Sequence, residues 1–172
     1  RALAQVRPDA PAYLRLIVRL PPCDPWAVAL ALQAPGEEFF LWRDGRARRC
    51  FAALGQAAQI VVAQQRERLA EARLQAEALA ARTTQVATPG AAAADGDGLP
   101  LLLGGFAFAH AGRAAPADTA GPWRGWPGGR LVLPRILLVE HERLALVLVL
   151  TERLVSDDTT AGVLERLRQT RG

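Results

Sequence analysis

The chain has 172 residues, a hydrophobic fraction of 51% and a formal net charge of +4. This length suits one domain or one lobe of a larger domain, and the hydrophobic fraction excludes a chain that is disordered throughout. No apolar stretch reaches the roughly 20 residues that a membrane-spanning helix needs, so we expect no membrane partner and a cytoplasmic location.

All 21 basic residues are arginine, so this chain alone cannot complete a reaction that needs a lysine amine. Four of the arginines lie within residues 43–49, beside an Asp44-Gly45 turn. No nucleic-acid-binding motif accompanies this charge, and we expect no nucleic acid partner. Cys23 and Cys50 lack the spacing of a metal or redox motif, so we expect both to be reduced thiols.

The first two elements are marked by their boundaries. Tyr13–Leu20 combines β-branched and aromatic residues and predicts a strand that ends at Pro21-Pro22. Asp24 is typical of a helix N-cap and Pro25 of a first helical position. The Ala- and Leu-rich residues Trp26–Gln33 therefore predict a helix.

A hairpin is indicated next. Asp44-Gly45 is a dipeptide favoured in two-residue type I′ turns, and it lies between Glu38–Arg43 and Arg46–Leu54. We predict that these two segments form antiparallel strands joined by that turn.

Gln64–Arg82 predicts the longest helix. Its apolar residues recur at steps of three and four, which places them on one face of the helix. We expect this face to pack against a sheet, and it consists of Leu69, Ala72, Ala76, Leu79 and Ala80.

The second half of the chain alternates loops with apolar strands. Its composition predicts a flexible surface loop over residues 88–98 and a long loop over residues 109–129. Leu101–Phe108, between these loops, predicts a buried strand. Leu131–Val139 and Leu144–Thr151 predict an antiparallel pair.

A closing helix is predicted over Thr159–Arg171, because Thr159 or Thr160 can cap it. Together the elements predict an α+β fold. We expect a mostly antiparallel sheet with two principal helices packed on it.

No recognisable catalytic constellation is present in the sequence. His110 and His141 are the only histidines, and neither stands beside a nucleophile motif. Glu140 and Glu142 flank His141, but alternate residues on a short turn rarely converge on one metal ion. Gly104-Gly105 lacks the pattern of a phosphate-binding loop, and we expect it to let another backbone or a ring approach closely. We assign no catalytic, cofactor-binding or metal-binding residue in this chain.

Four short motifs follow one another along the chain. They are a strand ending in Trp42, a Leu-Gly-x-Ala-Ala segment around Gly55, the run Gly104-Gly105-Phe106-Ala107-Phe108, and Trp123 with Trp126-Pro127 before Leu131–Leu138, which contains Pro134. In this order they resemble the amino-terminal half of isochorismate synthases, which belong to the chorismate-utilising enzymes. That family usually has an acidic residue shortly after the second Phe, where this chain has Ala109-His110.

The resemblance implies that residues 1–172 are one amino-terminal lobe of the chorismate-utilising fold. It implies a role in converting chorismate to isochorismate, for menaquinone or siderophore biosynthesis. The family uses a lysine base, a glutamate acid and glutamate ligands for magnesium, all in the chorismate-binding half that follows this region. We therefore expect chorismate and magnesium to bind that missing half, the motif residues to be scaffold, and this chain to be inactive alone.

Two alternatives stay open. The chain could be a stand-alone binding or interaction module that retains the scaffold, in which case a partner or self-association would cover its exposed apolar surface. It could also be part of an anthranilate or salicylate synthase relative, although the Gly-Gly-Phe-Ala-Phe run favours isochorismate synthase.

Overall fold

The computed structural model describes residues 12–45, 49–63, 67–88, 91, 102–107, 127–141 and 145–154. Within these residues, two helices accompany a seven-stranded, mostly antiparallel sheet, which confirms the predicted α+β class. The strands are β1 (Ala12–Leu20), β2 (Phe39–Asp44), β3 (Arg49–Val62), β4 (Thr83–Ala87), β5 (Leu103–Phe106), β6 (Gly129–His141) and β7 (Ala145–Leu154). The helices are α1 (Pro25–Leu32) and α2 (Arg68–Ala80).

The sheet is organised around β6. Its strand order is β2-β3-β6-β7-β1-β4, and only β1 and β4 pair in parallel. β3 pairs with β6 from end to end, whereas the other edge of β6 is shared. β5 pairs with Gly129–Val132, and β7 pairs with Ile136–His141.

Pro134 lies where the shared edge passes from β5 to β7. A proline has no N–H to donate, so within a sheet it is confined to edges and irregularities. Pro134 is fully buried and faces Gln56, at the point where the register between β3 and β6 shifts. The irregular pairing around Pro134 therefore lets a proline occupy the central strand.

Both faces of the sheet are buried at its centre. Leu137 and Leu138 are adjacent in β6 and both are fully buried, although adjacent strand residues point to opposite faces. Leu138 packs with Ala29 of α1 and Leu148 of β7, whereas Leu137 packs with Ile17 of β1. This two-sided burial explains why β6 and β7 read as continuous apolar runs and were predictable from the sequence.

Helix α1 begins as predicted. The Asp24 side chain accepts a hydrogen bond of 3.0 Å from the backbone N–H of Trp26, and Pro25 occupies the first turn. Ala29 is the buried contact of this helix with the sheet. No helix within the described ranges is long and apolar enough to cross a membrane.

The predicted two-residue turn at Asp44-Gly45 is wrong. Asp44 is the last residue of β2 and pairs with Arg49, so residues 45–48 join the strands. The observed register sets Trp42 opposite Phe51 and buries Ala52 and Leu54. A shorter turn would shift the pairing and set Trp42 opposite Ala47, so side-chain packing overrides the local turn preference.

Helix α2 is confirmed, but the sheet covers less of it than predicted. Ala72 and Leu79 are buried against β3 and Ala76 is partly buried, whereas Leu69 is 62% exposed. Ala80 is also exposed. The contact is therefore a narrow line of three residues, Ala72, Ala76 and Leu79, rather than a broad face.

The segments after α2 depart from the predicted loop structure. β4 follows α2 almost directly and was not predicted, because its sequence Thr-Thr-Gln-Val-Ala is short and polar. In the predicted flexible loop over residues 88–98, Thr88 donates to the carbonyl of Ile17 and Ala91 is fully buried. The rest of that loop, the predicted helix Thr159–Arg171 and most of the loop over residues 109–129 lie outside the described residues.

We expect Asp24→Ala to lower the free energy of unfolding by about 1 kcal/mol, because the first turn of α1 loses its capping oxygen. Urea denaturation followed by circular dichroism would measure this change. Asp24→Asn is the matched control, since it keeps the capping oxygen and removes only the charge that lies 3.9 Å from Arg43. Equal losses for the two variants would contradict the capping role.

Candidate functional site

An open cleft of about 1000 Å³ lies beside β5, where β6 changes partners. Its walls come from the segment before β2, the start of β2, the middle of β3, β5 and the first half of β6. Six of the motif residues line it, namely Gly55, Gly104, Gly105, Phe106, Pro127 and Pro134. Motifs that are far apart in sequence therefore converge on one surface.

Gly104 makes the close backbone approach that the sequence predicted. Its φ is +151°, a conformation that residues with a side chain rarely adopt. A Cβ atom there would overlap the backbone carbonyl of Arg130 in β6. Gly105 has open space around it, so only the first glycine of the pair is required by packing.

β5 is not the buried strand that was predicted. Gly104, Gly105 and Phe106 are exposed, and Leu103 is partly buried. The ring of Phe106 lies against Gly129, where a Cβ atom would overlap it. An apolar run therefore forms the wall of an open cleft, and Gly129 is a packing requirement that the sequence analysis did not identify.

Gly55 shapes the opposite wall. Its φ is +58°, and a Cβ atom there would lie 2.6 Å from a carboxylate oxygen of Glu37. Its N–H donates a 2.9 Å hydrogen bond to the carbonyl of Glu38. A side chain at position 55 would therefore carry backbone strain and would have to displace the Glu37 carboxylate.

Arg130 is the cation that lines this cleft, and the sequence analysis missed it. Its Nη2 donates to Glu38 Oε2 at 2.7 Å and to Gln56 Oε1 at 3.1 Å. Its Nε donates to Gln59 Oε1 at 3.2 Å. These partners fix the guanidinium between β6, β3 and the segment before β2. The available signal was a charged residue directly before the apolar run Leu131–Leu133.

Arg130 and Glu38 form an ion pair in the cleft. The Arg130 and Glu38 side chains are 38% and 60% exposed, so solvent screens their attraction and its contribution to stability is at most about 1 kcal/mol. Glu37, the other acidic group, accepts from the backbone N–H of Ala34 through Oε2. Both carboxylates thus have structural partners.

Of the remaining motif residues, the structure describes only Trp42, which does not line the cleft. Trp42 is 43% exposed and packs against Phe51, with ring centroids 5.2 Å apart and planes at 31°. Phe108, Trp123 and Trp126 lie outside the described residues, as do His110 and Glu142. His141 ends β6 opposite Arg49.

The two cysteines differ in environment. Cys23 is exposed and Cys50 is buried. Burial raises the pKa of the Cys50 thiol, and a hydrogen bond with Arg43 only partly opposes this effect. Cys50 is therefore a protonated thiol at neutral pH.

Comparison with known proteins decides the family. The sequence model of a family described as chorismate binding enzyme matches residues 1–171. This chain belongs to the chorismate binding enzyme family. A search of curated proteins finds no match. The family places the chain among enzymes that use chorismate, and the predicted resemblance is confirmed at that level.

Magnesium, which the family resemblance implies, has no fitting ligand set in the described part of this chain. There, no three or more His, Cys, Asp and Glu side chains lie close enough together to hold a metal ion. Glu37 and Glu38 are neighbours in sequence, but their carboxylates have the separate partners described above. No chemical step can be derived through magnesium from these residues.

We expect Gly104→Ala to lower the free energy of unfolding by about 2–4 kcal/mol, because backbone strain adds to the overlap with Arg130. Urea denaturation would measure the loss. Gly105→Ala is the matched control and should change stability by less than about 0.5 kcal/mol, since its Cβ meets nothing. Similar losses at both positions would contradict the close approach at Gly104.

We expect iodoacetamide at neutral pH to modify Cys23 quickly and Cys50 only after unfolding. Burial both raises the pKa of Cys50 and blocks access of the reagent. Peptide mass spectrometry over a time course would separate the two sites. Equal modification rates in the folded protein would contradict the buried position of Cys50.

Proposed function

We propose that this chain is the amino-terminal portion of an isochorismate synthase that serves menaquinone or siderophore biosynthesis. In this proposal the chain supplies a scaffold, and the rest of the protein binds chorismate and magnesium. Membership of the chorismate binding enzyme family supports the substrate. The order of the four motifs supports the choice of isochorismate synthase within that family.

The observation that carries the proposal is the convergence of the motif residues on one cleft. Gly55 comes from β3, Gly104 and Phe106 from β5, and Pro134 from β6. Gly55 has a left-handed backbone, and Gly104 lies close to the backbone of β6. The ring of Phe106 lies against Gly129, and Pro134 lies where the strand pairing is irregular. The motifs thus specify the shape of a surface rather than a set of reactive groups.

The chemistry of the cleft fits a scaffold role. The reaction moves a hydroxyl around a ring, which needs a group that activates water and a group that protonates the departing hydroxyl. Glu38 is paired with Arg130, and Glu37 accepts from a backbone N–H. The chain contains no lysine to serve as the family's base. We therefore infer that the acid, the base and the metal ligands belong to the rest of the protein.

The proposal predicts that the reading frame continues beyond the codon for Gly172 into a domain with a lysine and several acidic residues. Sequencing the coding DNA and expressing the whole frame would test this. The full protein should convert chorismate to isochorismate, and EDTA should abolish this conversion. Chromatography of the products distinguishes the relatives, since anthranilate or salicylate would contradict the assignment. A stop codon directly after Gly172 would instead favour the binding-module alternative.

A second experiment separates a scaffold role for Arg130 from contact with the substrate. In the full protein, Arg130→Gln should lower the melting temperature but leave the KM for chorismate unchanged, because its bonds tie β6 to its neighbours. Arg135→Gln is the matched control, since Arg135 is an exposed arginine on the same strand. A large rise in KM for Arg130→Gln alone would contradict the scaffold role.

A further inference from the structure

We draw no further inference here: the strongest candidate, the open cleft beside β5 with the exposed rings of Phe39 and Phe106 in its wall, belongs to the site already described, and nothing in the structure shows what covers it.

Discussion

A proline in the middle of the central strand marks the point at which the strand pairing of the sheet changes. Pro134 cannot donate to a neighbouring strand, and it lies where one edge of β6 passes from β5 to β7. The pairing of β3 with β6 shifts at the same level. After Pro134, β6 is buried on both faces from Ile136 to Val139. Before Pro134, the first half of β6 and β5 line an open cleft. The core and the cleft are thus separated at Pro134.

Three glycines shape the region of the cleft, because each lies where a side chain would meet a neighbouring group. Gly104 brings the backbone of β5 against Arg130, Gly129 receives the ring of Phe106, and Gly55 makes room for Glu37. Arg130 then ties this region together through Glu38 and two glutamines. These requirements explain why short, glycine-containing motifs carry the resemblance to the chorismate-utilising enzymes. The motifs constrain the backbone positions of the described residues.

The sequence predicted best where local chemistry decides the structure. Asp24 and Pro25 located the start of α1, and continuous apolar runs located β6 and β7 because both of their faces are buried. It failed where distant residues decide. The predicted Asp44-Gly45 turn does not form, because Trp42 pairs with Phe51 and this register depends on side-chain packing across the hairpin. β4 is held by its pairing with β1 rather than by its own composition.

The candidate site was predictable only in part, because local sequence does not show which distant residues meet. The Gly104-Gly105 pair signals a close approach, but not which glycine makes it or that β5 is exposed. Arg130 has partners that precede it by 71 to 92 residues, so no local pattern indicates its role.

We propose that this chain shapes a chorismate-using enzyme without supplying its reactive groups. The most direct test is to incubate the purified 172-residue chain with chorismate and magnesium and to follow the products by NMR. We predict that no isochorismate forms above the rate without protein. Magnesium-dependent conversion by this chain alone would contradict the account, because it would place the catalytic groups within these residues.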